Sequence, residues 1–566
     1  MALIVVGILL IPRLFKPEEE LEKSIAVLPF KNDSPQASEE NTPFVNGLME
    51  EILINLQTIK EFRVPGRTSV EQFRDNTSKK IPEIARELDV NYIVEGSVQK
   101  YGDRFRLRVQ LIRAKGKEAH LWAKSYEQAI TGTDDIFKIQ SEIAQAIATE
   151  LKIVISPDEK QLIEQSPTEN LDAYYAFLRG KDEYSNYFLL RKNIDALNRA
   201  EDFYNRALEY DPSYAKAYSG LAQVYWEKYY AKEYFYINFM DSVLVLANIA
   251  LEYDNNLAEA YSLRGDYYRV NTVYDKAIEE YKKTLDINPN YWQAYDGMGE
   301  LHFYHLRDLE NGLINLEKAL KLNHDLKLRP GLLYSLSACY EHIGFYDKSV
   351  DLKKEALRID RDSLRFYSSM RWAEVLNENY LKAIQLLERC IILNSKQSSG
   401  YYRRLGDYYL LLGHRDTAIK CYQKYIAGLS ELEEAGLITR HRVGFAYLAT
   451  GDSVMAEKYF ELQKKYCEES IELNREYARN ATAYYDLACI YAYRGDKKNA
   501  YKNLHIYNDK IGETEIKSML WWFKHDPFFN SIRDEPEFQA IYREIEAKYN
   551  NTYERVRKRL EEKNML

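Results

Sequence analysis

A small residue returns at a nearly constant interval along the carboxy-terminal two-thirds of the chain, and few folds accommodate such a pattern. Ala277, Gly312, Ser349, Ala383, Ala418 and Ala456 follow one another at steps of 35, 37, 34, 35 and 38 residues. Larger sets recur between them: Tyr402, Leu405, Gly406 and Tyr409, then Gly413, Ala418 and Tyr422; Tyr484, Leu487, Ala488 and Tyr491, then Gly495 and Ala500; Tyr218, Leu221, Ala222 and Tyr225. Self-similarity near ~34 residues with helical spacing inside each interval describes a stack of helix pairs. The small residue midway along a helix lets its partner approach closely, and the large residues on either side fill the groove between pairs. Asp211-Pro212 and Asn288-Pro289 end one helix and turn the chain into the next repeat. No pair can bury its own apolar face, so stability must come from stacking.

This period and pattern are the signature of tetratricopeptide repeats. The reading is a mainly α-helical solenoid of about nine pairs over residues 171–511, preceded by a linker at 156–170 and followed at 512–566 by capping helices and a charged tail. Trp521, Trp522, Phe528 and Phe538 are expected to cover the last apolar face of the stack. The array also explains an unusual composition: many of the 49 tyrosines occupy its packing positions. In Tyr174-Tyr175, Tyr401-Tyr402 and Tyr484-Tyr485 one ring can enter the core while its neighbour faces the concave side. Tyr174, Tyr401 and Tyr485 are therefore the candidate partner-binding residues of a groove for proteins or peptides.

Residues 24–155 change period. Ser24 to Phe30 is a short apolar run closed by a proline, and Phe44, Leu48, Ile52 and Leu56 form one face of a helix. Arg104 to Ile112 alternates strictly, with Phe105, Leu107, Val109 and Leu111 on one side and Arg104, Arg106, Arg108 and Gln110 on the other. Tyr101-Gly102-Asp103 and Lys115-Gly116-Lys117 stand where hairpin turns are needed. The expectation is a small α/β domain whose arginine face is solvated. SIAVLPF, GLMEEIL, FRVPGRTSVEQF, IARELDVNYIVEGSVQKYGDRFRLRVQLI and DIFKIQSEIAQAIA, in this order, resemble the TolB-like amino-terminal domain. That resemblance implies a bacterial regulatory protein in which the domain lies between a membrane helix and tetratricopeptide repeats. Members of the family often carry an adenylate cyclase or a DNA-binding module ahead of the membrane helix, and residues for neither occur here.

Residues 1–16 hold a continuous apolar run, Ala2 to Ile11, and residues 17–23 are a charged spacer. A membrane-spanning helix takes ~20 apolar residues, so the run is about half of one. Residues 2–15 are expected to attach the chain to a membrane, with the remainder extracytoplasmic as the resemblance implies. A net charge of -9 without a basic stripe argues against nucleic acid as a partner. Five widely spaced cysteines without a CxxC pair read as packing thiols. His302 and His305 offer two metal ligands where zinc takes three or four. No phosphate loop, GxSxG or HExxH occurs, so the expectation is a non-enzymatic, cofactor-free scaffold or sensor. The alternative is the sensory part of a larger signalling protein.

Overall fold

The computed structural model describes residues 21–34, 41–74, 78–189, 193–231, 238–394, 399–428 and 440–563. The chain divides into two compact units, one of residues 1–297 with 318–325 and the other of residues 298–317 with 326–566.

The first unit opens with the α/β domain. Strands β1 (Ile25–Val27) and β2 (Lys31–Asn32) both run parallel to β3 (Tyr92–Tyr101), which continues antiparallel into β4 (Arg104–Arg113) and β5 (Ala119–Ala129). The hairpin turns sit at Gly102 and Gly116, with φ of +61° and +80°. As the alternation of β4 demands, Phe105, Leu107, Val109 and Leu111 are buried. They face helices α1 (Thr42–Thr58) and α4 (Asp134–Glu150), whose apolar stripes share the same core. Arg104 is exposed, and Arg106 meets Glu127 across the strands at 2.8 Å. On the opposite face, α2 (Arg67–Glu71) and α3 (Ile81–Glu87) cover Ala26, Leu28 and Ile93 with Val70, Ile84 and Leu88. Residues 62–64 resemble a strand in sequence but make only one bridge, Arg63 to Ser24. The stretch read as a linker contains a helix, α5 (Pro157–Glu164), capped by a reciprocal Ser156–Glu159 box.

Helix pairs follow: α6 (Leu171–Leu189) with α7 (Ile194–Tyr210), α8 (Ala215–Tyr230) with α9 (Met240–Tyr253), and α10 (Ala258–Val270) with α11 (Tyr274–Ile287). Next along the chain come α12 (Trp292–Glu300), extended by a π-helical turn at Leu301–Leu306, and α13 (Leu309–Leu322). In the second unit come α14 (Arg329–Ile343) with α15 (Tyr346–Asp360), α16 (Ser363–Leu376) with α17 (Tyr380–Leu393), and α18 (Ser399–Leu411) with α19 (Arg415–Ala427). Next are α20 (Arg440–Ala449) with α21 (Ser453–Glu472), the short α22 (Glu476–Arg479), and α23 (Thr482–Tyr493) with α24 (Lys497–Lys510). Helix α25 (Glu513–His525), a 3-10 turn at Pro527–Phe529 and the long α26 (Pro536–Glu562) end the described chain. The architecture is a mainly helical tetratricopeptide-like solenoid with a small amino-terminal sheet. No described helix is long and apolar enough to cross a membrane, and the run expected to insert, residues 2–15, lies outside the described residues. All five cysteines are free and buried.

The tyrosine excess has a packing cause. The ring of Tyr204 on α7 lies in a notch made by Gly180 on α6 and Gly220 on α8; a Cβ at either glycine would stand 2.7 or 2.6 Å from ring atoms. Tyr281 on α11 sits in the same way between Gly265 and Gly297, at 2.7 and 2.6 Å. One aromatic side chain thus fastens its own pair to the next. Where the notch glycine is followed by aspartate the hydroxyl is also satisfied: Tyr281 donates to Asp266 at 2.7 Å, and Tyr422 donates to Asp407 at 2.8 Å. Gly220→Ala forces Tyr204 out of its notch, and overpacking of this kind costs ~1–3 kcal/mol. Thermal unfolding followed by circular dichroism is expected to show a midpoint several degrees lower, whereas Gly400→Ala, where a Cβ meets nothing within 4 Å, is expected to leave it unchanged.

Candidate functional site

In repeat arrays the first helices of the pairs line one side, which is where a ligand is expected. In the first unit that side is occupied by the α/β domain. Helix α1 carries the tandem Glu50-Glu51. Glu50 pairs with Lys181 of α6 at 2.8 Å and with Arg67 of α2, and Glu51 pairs with Lys216 of α8 at 2.9 Å. Asn46 donates to Asp182 of α6 at 2.8 Å, and Gly47 leaves room for Leu178. Burial alone would raise the Glu50 carboxyl, but the Arg67 guanidinium and the Lys181 ammonium overcome it and hold the group at about 2.

The turn between α11 and α12 completes this seat. Asn290 is buried and its side chain bonds to backbone of the α/β domain: it accepts from the Val64 amide at 2.9 Å and donates to the carbonyls of Gln57 and Phe62 at 2.9 and 3.0 Å. Asn288 donates to the Gln57 side chain at 3.2 Å, and the ring of Trp292 lies against Gly66. The Asn-Pro-Asn turn therefore serves two ends at once, closing a repeat and gripping residues 57–64.

In the second unit, α25 occupies the corresponding side. Its first turn places Glu515 on Arg307 at 2.7 Å, and Arg307 reaches it from a left-handed backbone position with φ of +57° at the end of the π turn. Trp521 donates to Tyr380 at 3.1 Å and meets Trp372 of α16 edge-on. The Arg442 guanidinium of α20 lies 3.9 Å from the centre of the Trp522 ring and pairs with Asp526 at 2.7 Å. Tyr485 of α23 donates to the same carboxylate at 3.0 Å. Further on, Tyr549 of α26 donates to the Ile343 carbonyl at 2.7 Å and Tyr553 stacks on Phe345. The aromatic residues expected to cap the last pair thus reach back along several pairs.

Of the tyrosines expected to face a partner, Tyr174 is 1% exposed and meets Phe137 of the α/β domain edge-on. Tyr485 is 4% exposed and spent on Asp526. Neither ring is on an open surface, because helices from the chain's own ends cover them. Tyr401 is half-buried at the margin of the cluster that includes Tyr408 and Trp521.

The sequence reading passed over the cations of this side. Arg371 of α16 is bonded to the Tyr408 hydroxyl, and its Nε is buried without a partner. Arg403 reaches Asp407 at 3.4 Å, but that carboxylate already accepts from Tyr422. Arg404 beside them is brought down to about 10, first by burial and then by the repulsion of Arg371 and Arg403. Among the described residues Arg403 has this carboxylate, and Arg371 lies in the field of Glu341.

Asn290→Ala strands one amide and two carbonyls in a buried place, a loss of about 3 kcal/mol; urea unfolding is expected to show a lower midpoint. Glu50 has a lowered carboxyl, so its contribution is complete above its ordinary value of 4.5 and fades as the pH falls towards 2. Melts of the wild type are expected to lose several degrees between pH 5 and 3 that Glu50→Gln, already destabilised at pH 7, does not lose.

Residues 21–145 match the family model of the HilA/YgeH-like transcriptional regulator, second domain. Over 206 residues the chain is 31% identical to the putative adenylate cyclase 3 of Rhizobium meliloti (strain 1021), a stretch covering 36% of this chain and 33% of that protein. It is 21% identical over 173 residues to anaphase-promoting complex subunit 3 of Schizosaccharomyces pombe (strain 972 / ATCC 24843), covering 31% of this chain and 25% of that protein. The chain therefore spans about a third and a quarter of the lengths of these two relatives. Among solved structures it is similar to YrrB, a TPR protein with an unusual peptide-binding site, at 20% identity over 34% of this chain and 93% of that one, with a TM-score of 0.28. It is similar also to pilF of Pseudomonas aeruginosa, at 17% identity over 40% and 96% of the two chains, with a TM-score of 0.32.

Proposed function

We propose that this chain is a protein-binding scaffold of a signalling or regulatory system, with no catalysis of its own, in which the amino-terminal domain and the first repeats act as one body. The observation that carries this reading is the seat of α1: two adjacent glutamates neutralised by Lys181, Lys216 and Arg67, and a buried asparagine whose side chain bonds to the domain's backbone. A tether would hold two independent domains, whereas this contact is a core. A signal received by the domain, which we read as TolB-like from its sequence, then bears directly on the repeats that hold partners. In this reading residues 2–15 attach the protein to a membrane and the rest lies on the extracytoplasmic side, supported by the apolar run at the amino terminus.

A second reading is favoured by two similarities. Residues 21–145 match a domain of transcriptional regulators, and the stretch shared with the putative adenylate cyclase covers only a third of that protein. Such a body could be the receiving part of a longer signalling chain. Sequencing the DNA immediately ahead of the Met1 codon separates the two, since an in-frame continuation into a further domain supports the longer chain.

For the scaffold, affinity capture of the tagged full chain from its native membrane fraction, with mass spectrometry, is expected to return a small set of proteins at near-stoichiometric amounts. Purified protein that cyclises or hydrolyses nucleotides, or a chain that retains nothing, overturns the reading.

A further inference from the structure

Four helices of the last two pairs converge on one buried carboxyl. Asp486 of α23 is 4% exposed. Its Oδ2 accepts from the Tyr477 hydroxyl of α22 and from Gln463 Nε2 of α21, the latter at 3.0 Å. The Gln463 amide is held in that sense, because its Oε1 accepts from the Arg440 backbone amide at 2.9 Å. The other oxygen, Oδ1, faces Nε2 of His441 on α20 at 3.6 Å, too far for a hydrogen bond. His441 is wholly buried against the Phe528 ring, and neither of its ring nitrogens has a hydrogen-bond partner among the described residues.

A buried charge must be balanced, and the guanidinium nearest this pair is already engaged. Arg442 is paired with Asp526 at 2.7 Å, the carboxylate that also accepts from Tyr485. Ionised, Asp486 repels Asp526. Protonated on Oδ1, it needs no counter-charge, keeps both bonds at Oδ2, and offers a donor to the vacant nitrogen of His441. Burial first, with the repulsion of Asp526 added, pushes this carboxyl up to about 7 against the pull of Tyr477, Arg442 and Gln463. Burial and the adjacent Arg442 hold the His441 imidazole well below its ordinary value, so the proton belongs on the aspartate. Burial likewise keeps Cys467 of α21, Tyr477, Tyr485 and Cys489 of α23 and Tyr507 of α24 neutral. Arg440 lies over the Tyr466 ring, and Asp407 of α18 acts on Arg442.

We infer that Asp486 and His441 form a buried proton site that latches the segment from α25 to Asp526. With the proton in place the segment is held; as the surroundings turn alkaline its loss sets Asp486 against Asp526 and loosens the cover of the second unit's first helices. This regulation goes beyond the scaffold reading and does not depend on it. A carboxyl raised in the folded state stabilises it fully below the ordinary value of 3.8, and gives that up as the pH rises through about 7. The sign is opposite to that of Glu50.

The test rests on Asp486→Asn, which copies the protonated carboxyl: its oxygen takes the place of Oδ2 and its NH2 group that of Oδ1. Amide exchange of residues 513–529 is followed in the full chain by mass spectrometry, with labelling times scaled to the intrinsic pH dependence. Opening of the segment is expected to rise about tenfold from pH 6 to pH 8 in the wild type, the linkage of one carboxyl at about 7, and not to rise in Asp486→Asn. Infrared difference spectra between the same two pH values are expected to show an un-ionised carboxyl band in the wild type that the variant lacks. Equal opening at both pH values in the wild type overturns the latch, as does a rise that the variant retains. A missing band takes the proton off Asp486 and sinks the site. A variant that does not fold at pH 8 also counts against it, because asparagine makes every hydrogen bond assigned to the protonated carboxyl.

Discussion

A stack of helix pairs buries its flanks but leaves the side of its first helices uncovered, and much of this structure follows from how that side is covered. Each pair hides its apolar stripe against the next. Along the remaining side, rings and charges would face water unless something lay on them. In the first unit the cover is α1 of the sheet domain, and in the second it is α25. Each cover is fixed by a few ion pairs at the ends of apolar contacts. The contacts supply most of the free energy, and the ion pairs set the register, since a carboxylate shifted by one helical turn would lose its cation and stay buried.

That arrangement changes what a tetratricopeptide groove means here. The groove was expected to be open and aromatic. It is aromatic, but Tyr174 and Tyr485 are buried, and Tyr401 is half-buried. Under the covers every cation named above has a carboxylate. At pairs six and seven Arg371, Arg403 and Arg404 lie close enough that burial and the repulsion of the other two bring Arg404 down to about 10.

Much of the fold was legible because helical periodicity and strand alternation are local. The alternation of β4, the glycines of both hairpins and the small-residue period of the repeats each state a geometry within a few residues of themselves. Residues 62–64 look like a strand in sequence, but so short an apolar stretch does not separate a strand from the single bridge that Arg63 makes to Ser24. The helix Pro157–Glu164 was hidden by its mostly polar surface, although its Ser156–Glu159 capping box was present in the sequence. A sharper signal was also available: Gly265-Asp266 and Gly406-Asp407 each stand 15 residues before the Tyr that they receive, Tyr281 and Tyr422. That spacing encodes a notch and its hydrogen bond together.

The sequence by itself determined the repeat period, the pairing of helices, the small sheet and the reason for so many tyrosines, because each depends on neighbours close along the chain. Only the tertiary structure decided which tyrosines are reachable and which charges are paired. Glu51 meets Lys216 across 165 residues, Asn290 meets Val64 across 226, and Asp526 meets Arg442 across 84. No local rule connects residues so far apart. Their meeting depends on how the helices from both ends are laid onto the first helices of the array, and that placement determines where the outward-facing chemistry remains.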